Sequence, residues 1–63
     1  MTTRYFYNNV QVSEKVAKGL FERGAGLAGY EPHEVRDIWE QASEHQDHRD
    51  TLNHFGIELQ ITH

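Results

Sequence analysis

The chain begins with two short β-favouring runs on either side of Asn8-Asn9. Asparagine tolerates the positive φ that a two-residue hairpin turn requires, so the segment 4–13 predicts a β-hairpin. The turn and the alternation of side chains agree on one register, which places the apolar residues on one face. The predicted cross-strand pairs are Tyr7 with Val10 and Tyr5 with Val12.

A helix is predicted directly after the hairpin. Ser13 suits the N-cap position, and Glu14 lies in the first turn, where a carboxylate is favourable. Three glycines between 24 and 29 predict that the helix ends between Arg23 and Gly26. The apolar residues that follow the cap at roughly helical spacing are Val16, Leu20, Phe21 and Leu27.

A second helix is predicted from Pro32, because proline is well suited to the first helical position. Its apolar stripe at i, i+3, i+4 and i+7 consists of Val35, Ile38, Trp39 and Ala42. The stripe fades after Ser43, where Gln46 and Arg49 occupy positions expected to be apolar, and it resumes at Leu52 and Phe55. Residues 44–55 therefore either continue the second helix or form a short third one.

The segment Ile57–Thr62 alternates strictly between apolar and polar residues, as a half-buried strand does. The element order is then ββααβ, or ββαααβ if 44–55 is a separate helix. We predict one α+β domain over residues 1–63, in which the hairpin and the C-terminal strand form a three-stranded antiparallel sheet with two or three helices on one face. The expected core is Tyr5, Tyr7, Val10, Val12, Val16, Leu20, Phe21, Leu27, Val35, Ile38, Trp39, Leu52, Phe55, Ile57, Leu59 and Ile61.

Composition narrows the classes of function. The chain has 63 residues and no cysteine, so disulfides and Cys-based metal centres are excluded. Apolar runs are two or three residues long, far from the ~20 residues of a membrane span, and the N-terminal residues have no signal-peptide pattern. We expect a cytoplasmic protein that binds no cofactor and no membrane.

The charge is concentrated in the middle of the chain. The net charge is −4, whereas residues 31–50 alone carry seven acidic and two basic side chains. Such a segment argues against direct binding to nucleic-acid phosphates and favours a basic protein surface as partner. On a helical wheel five acidic residues lie in one sector, roughly opposite the apolar stripe. These predicted partner-binding residues are Glu34, Asp37, Glu40, Glu44 and Asp47.

Three histidines form a second candidate site. His45 and His48 would share a helix face and, with His54 or another ligand, hold Zn²⁺. The spacing matches no metal-binding motif, so these residues are weak candidates and no resident metal is predicted. The run 24–29 matches G-x-G-x-x-G literally, but it follows a helix rather than a strand, and we interpret it as a loop between helices.

A third hypothesis is self-association. Phe6 is expected on the open face of the sheet among polar neighbours, where it would mark a sheet-face contact or a homodimer surface. A three-stranded sheet also has edge strands able to pair with another chain. Catalysis has little support: Ser13 and Ser43 lack a local nucleophile pattern, and carboxylates on a solvated helix face keep their ordinary acidity.

In size, acidity and its hairpin–helix–helix–strand layout, the chain resembles the short acidic accessory proteins of phages and mobile elements, including anti-CRISPR inhibitors. The resemblance implies a stoichiometric inhibitor that binds a nucleic-acid-handling complex and blocks its basic groove. Under that interpretation the five acidic residues above make the contact. The alternatives are a His-mediated metal-binding module and a homodimeric structural or adaptor protein.

Overall fold

A computed structural model describes residues 2–62. Six elements follow one another along the chain in the order ββαααβ, and the fold is α+β as predicted. The third helix, left open by the sequence, is separate from the second. The elements are β1 (Thr2–Tyr7), β2 (Val10–Val12), α1 (Glu14–Leu27), α2 (Pro32–Gln41), α3 (Gln46–His54) and β3 (Ile57–Thr62).

The hairpin turn is formed by Asn8 and Asn9, with φ angles of 49° and 69°. Positive φ at both central positions defines a type I′ turn, whose twist matches that of the flanking strands. Tyr5 pairs with Val12, and Tyr7 pairs with Val10. The predicted register is therefore confirmed.

β1 is the central strand of a three-stranded antiparallel sheet ordered β2-β1-β3. Across β1 and β3, Tyr5 pairs with Leu59 and Tyr7 with Ile57. The backbone N–H of Asn8 also donates to the carbonyl of Gly56 at 3.1 Å, which joins the hairpin turn to the start of β3. In this register Tyr5, Tyr7, Ile57 and Leu59 lie on one face of the sheet and pack in or against the core.

α1 is longer than predicted. The backbone N–H of Val16 donates to the Ser13 hydroxyl at 3.2 Å, so the expected cap is present, but the helix continues to Leu27. It ends where Gly29 adopts a φ of 95° and the N–H of Tyr30 donates to the Ala25 carbonyl at 3.0 Å. This is a Schellman-type end, which needs one residue in the left-handed region. The interpretation of 24–29 as a loop between helices is wrong, because Gly24 and Gly26 lie within the helix.

The buried face of α1 also differs from the prediction. Ala17, Phe21 and Ala25, spaced four residues apart, are fully buried. Two α1 residues of the expected core are instead exposed, Val16 to 49% and Leu27 to 84%. Val10 of β2, also expected in the core, is 64% exposed. Alanines allow α1 to lie close to the rest of the fold, and they turn the neighbouring, larger residues toward solvent. Leu20 still packs against the core.

Arg49 occupies the break between α2 and α3. Its guanidinium donates to the carbonyls of Ala42 at 3.0 Å and Ser43 at 3.1 Å, and to the Gln46 side-chain oxygen at 2.9 Å. The last carbonyls of a helix have no partner within the helix. Gln46 and Arg49, the polar residues that interrupt the apolar stripe, therefore form the junction between the two helices.

Aromatic side chains connect the layers. The Trp39 ring is stacked against Tyr5, with centroids 5.6 Å apart, and against Phe21 at 6.2 Å. Phe55 meets Phe21 and Tyr30 edge to face at 5.7 and 5.9 Å, within the range for favourable aromatic pairs. The buried core comprises Ala17, Phe21, Ala25, Val35, Ala42, Leu52 and Ile57. Among the described residues, the helices are all too short and too polar to cross a membrane.

Candidate functional site

The five predicted partner-binding carboxylates lie on two helices and the turn between them. Glu34, Asp37 and Glu40 belong to α2, Glu44 lies in the turn, and Asp47 is in the first turn of α3. All five are exposed. The continuous helical wheel drawn through them is wrong beyond Gln41, where α2 ends. We call these five residues the acidic surface.

Two of these carboxylates have local structural roles. The Glu34 side chain accepts a hydrogen bond from the backbone N–H of Glu31 at 3.2 Å, at the start of α2. Asp47 lies in the first turn of α3. Negative charge near a helix N-terminus is favoured by the helix dipole. The presence of Glu34 and Asp47 is thus explained in part by helix capping.

Glu40 and Glu44 have the opposite relation to the dipole. Glu40 lies in the last turn of α2 and Glu44 just beyond it, where the partial charge of the helix is negative. A carboxylate there is unfavourable by about 0.3–1 kcal/mol. Glu44 also directly precedes His45, the N-cap of α3, where negative charge is favoured, so only Glu40 is placed unfavourably with respect to both helix dipoles.

The basic residues of the segment do little to neutralise the surface. Arg49 is half-buried, and its guanidinium is directed at the carbonyls of the helix junction. Arg36 is exposed and lies beside a groove between α1 and α2. All seven acidic side chains of 31–50 are exposed. The charge imbalance of the sequence is thus present on the surface of the fold.

Two grooves adjoin α2, and both include Trp39. The first, of about 250 Å³, separates α1 from α2 and is lined by Lys18, Glu22, Gly26, Tyr30, Pro32, Val35, Arg36 and Trp39. The second, of about 260 Å³, lies where the sheet meets the N-terminus of α1 and the C-terminal end of α2. We call it the acidic groove, and it is lined by Thr3, Tyr5, Glu14, Trp39, Glu40, Ser43 and Leu59.

The acidic groove affects the ionisation of its tyrosine. Burial raises the pKa of the Tyr5 phenol above its ordinary value of 10.0, and the negative charge of Glu14 raises it further. Both effects disfavour the phenolate. Sequence reasoning missed this groove because Glu14 and Glu40 lie on different helices and no local pattern connects them. The one local indication of the groove is that Glu40 directly follows Trp39, the only tryptophan in the chain.

The histidine cluster is only partly assembled. The ring centroids of His45 and His48 lie 5.5 Å apart, and the two rings are nearly perpendicular. His54 packs against the Phe55 ring at 5.4 Å. Within residues 2–62, there is no group of three His, Cys, Asp or Glu side chains placed to hold a metal ion. The structure thus brings together two of the three candidate ligands.

Phe6 lies on the sheet face opposite the helices, paired with Gln11 on β2 and Glu58 on β3. It is half-buried rather than exposed. Its neighbours Gln11, Glu58 and Gln60 are exposed. Phe6 therefore offers less apolar surface for a contact than its position in the sequence suggested.

Comparison with known proteins adds no functional assignment. No protein-family model, curated protein or solved structure matches the chain.

Proposed function

We propose that the protein is a non-catalytic, stoichiometric inhibitor that docks its acidic surface on the basic, nucleic-acid-binding surface of another protein. The observation that carries the proposal is the exposed charge of 31–50, where seven carboxylates face solvent and one of the two arginines is engaged within the fold. Mimicry of nucleic-acid phosphates by carboxylates would block the partner's groove. The proposed site of action is the cytoplasm.

The position of Glu40 strengthens the proposal. Its carboxylate lies at the unfavourable end of α2, so the helix dipole does not account for it, and it is free to act outside the fold. An inhibitor made by a phage or mobile element, of the anti-CRISPR type, is the class of protein that such a surface suits. Electrostatic complementarity of this kind accelerates association and weakens with salt.

The test is capture of partners from a host lysate at low and high salt, with the parent protein as bait. The D37K/E44K variant reverses two charges of the acidic surface, and E22K/E58K reverses two exposed charges elsewhere as a matched control. We expect a basic, nucleic-acid-binding partner that the parent and the control capture at low salt and that D37K/E44K does not. Added nucleic acid should displace the captured partner.

A partner retained equally by D37K/E44K and by the parent would overturn the proposal. So would a partner that stays bound at high salt and in the presence of excess nucleic acid. Circular dichroism of each variant confirms that the fold is intact. The substituted positions are exposed, so their effect on stability should stay within about 0.5 kcal/mol.

A further inference from the structure

We propose that the acidic groove holds a single arginine side chain of the basic partner. This inference rests on the proposed function and specifies how that partner is recognised. The groove is formed by separate parts of the chain, namely β1, β3, the first residue of α1, the end of α2 and the turn after it. Its walls are thus fixed by the tertiary fold rather than by one mobile loop.

The charge of the groove selects a cation. Glu14 and Glu40 both line it, and its lining residues, all within the described part of the chain, include no lysine, arginine or histidine. The groove between α1 and α2 is similar in volume but is lined by Lys18, Arg36 and a single carboxylate, Glu22. Concave surfaces lined by one sign of charge concentrate ions of the opposite sign. Of the two grooves, only the acidic groove carries that arrangement.

The walls of the groove favour arginine over lysine. Trp39 and Tyr5, which stack on each other with an angle of 14° between their planes, both line the groove, so part of its wall is aromatic. A guanidinium group is planar, stacks on aromatic rings and donates paired hydrogen bonds to carboxylates. Leu59 offers an apolar contact for the methylene stem. A lysine ammonium is a point charge with neither a planar face for the aromatic wall nor a parallel pair of donors for a carboxylate.

The size of the groove fits one side chain. Its volume of about 260 Å³ lies below the roughly 300–1,000 Å³ of pockets that bind whole small molecules. The hydroxyls of Thr3 and Ser43 also line it and can accept the guanidinium N–H groups that face away from the carboxylates. An arginine inserted from a protein surface would therefore fill the groove and leave few donors without a partner.

The groove gives Glu40 two roles. It belongs to the acidic surface and also lines the acidic groove, so it joins the long-range attraction to the local contact. General charge on the acidic surface would bring the basic partner near, and the groove would then fix its orientation. Glu14, which belongs to α1 and lies outside the acidic surface, contributes to the second step alone.

The experiment is an NMR titration of the ¹⁵N-labelled protein with three blocked tripeptides, Ac-Gly-Arg-Gly-NH₂, Ac-Gly-Lys-Gly-NH₂ and Ac-Gly-Gln-Gly-NH₂. We expect the arginine peptide to shift the Trp39 indole signal and the amide signals of Ser43 and Leu59. The lysine peptide should bind more weakly, and the glutamine peptide should leave these signals in place. Removing one carboxylate, in E14Q or E40Q, should weaken arginine binding about tenfold.

E22Q is the matched control, because Glu22 lies on α1 like Glu14 but lines the other groove. It should bind the arginine peptide as the parent does. The inference is overturned if the glutamine peptide produces the same shifts, if the arginine peptide leaves the groove signals unchanged, or if E22Q weakens binding as much as E14Q.

The same variants separate this inference from the proposed function. If E14Q captures the partner as well as the parent while D37K/E44K does not, the acidic surface stands and the arginine contact is wrong. If E14Q binds both the peptide and the partner about tenfold more weakly, the groove is part of the interface. If the arginine peptide binds but D37K/E44K keeps the partner, the groove stands as an arginine-binding site and the proposed function fails.

Discussion

The Arg49 guanidinium donates a hydrogen bond to the carbonyl of Ala42 at 3.0 Å, from a position seven residues later and on the next helix. Ala42 is fully buried, and its carbonyl lies at the end of α2. A basic side chain at that point satisfies unpaired carbonyls and opposes the negative end of the helix dipole. The contact ties α3 to the end of α2, the two helices that carry most of the acidic surface.

Replacing Arg49 with alanine should lower the free energy of unfolding by about 1–3 kcal/mol, because hydrogen bonds from a charged donor are lost. Arg49→Lys should recover only part of the loss, since one ammonium cannot reproduce the geometry of the three contacts. Urea denaturation measures both. Arg36→Ala removes an exposed arginine of α2 and should change little. An equal loss in Arg36→Ala would show that overall charge, rather than the Ala42 contact, is responsible.

A pair of leucines tests the position of the core. Leu52 is fully buried and Leu27 is 84% exposed. Leu52→Ala should therefore cost about 2–5 kcal/mol of unfolding free energy through lost burial and the cavity left behind. The same substitution at Leu27 should stay within about 0.5 kcal/mol. Thermal or urea unfolding compares the two, and a similar cost at both positions would contradict the orientation of α1.

Two glycines of α1 should respond in opposite directions to alanine. A Cβ at Gly19 meets nothing within 4 Å, whereas at Gly24 it would lie 3.1 Å from Cδ1 of Phe55. Gly19→Ala should stabilise the protein by about 0.5–1 kcal/mol, because alanine is the better helix former. Gly24→Ala should be neutral or destabilising, since Phe55 is held between Phe21 and Tyr30.

Urea unfolding of the two alanine variants measures the difference. If Gly24→Ala gains as much stability as Gly19→Ala, the close packing of α1 on Phe55 is wrong.

The ionisation of Tyr5 can be followed by an NMR pH titration of its ring signals, which separates it from Tyr7 and Tyr30. Its pKa is raised by burial and by the Glu14 carboxylate, so Glu14→Gln should lower that pKa while burial keeps it above 10.0. The folded state holds the phenolic proton more tightly than the unfolded state does. Its contribution to stability is thus complete below pH 10.0 and is lost as the pH rises through the folded-state pKa.

Glu22→Gln serves as the control in the tyrosine titration, because Glu22 does not line the acidic groove. A Tyr5 pKa that is unchanged in Glu14→Gln would mean that the carboxylate lies too far from the phenol to affect it.

Local patterns were sufficient to predict the strands and the hairpin. The Asn8-Asn9 turn and the alternation around it specify the same pairing, and the structure has that pairing. Periodicity alone was not sufficient to predict which face of α1 is buried. Val16 and Leu27 are more hydrophobic than Ala17 and Ala25, yet the alanines are buried. The distance between packed elements decides which side-chain size fits, and that distance is a property of the whole fold.

The acidic residues were evident from composition, whereas the acidic groove was not. Glu14 and Glu40 lie on different helices. They line one groove because Trp39 of α2 stacks on Tyr5 of β1, and Glu14 lies beside the same groove. In the sequence Arg49 is only an interruption of an apolar stripe, because its hydrogen bonds to Ala42 and Ser43 depend on the chain turning between two helices. Tertiary relations of this kind leave no regular spacing in the sequence.

The central position of β1 has a consequence for the order of folding. Tyr7 pairs with Ile57, 50 residues later, and the other β1–β3 pairs are more distant still. Before β3 leaves the ribosome, β1 has only the three-residue strand β2 as a partner. An isolated hairpin is at best marginally stable in water. Because β1 cannot be paired along both edges until β3 has been synthesised, completion of the sheet depends on the most non-local contacts of the fold, which form late.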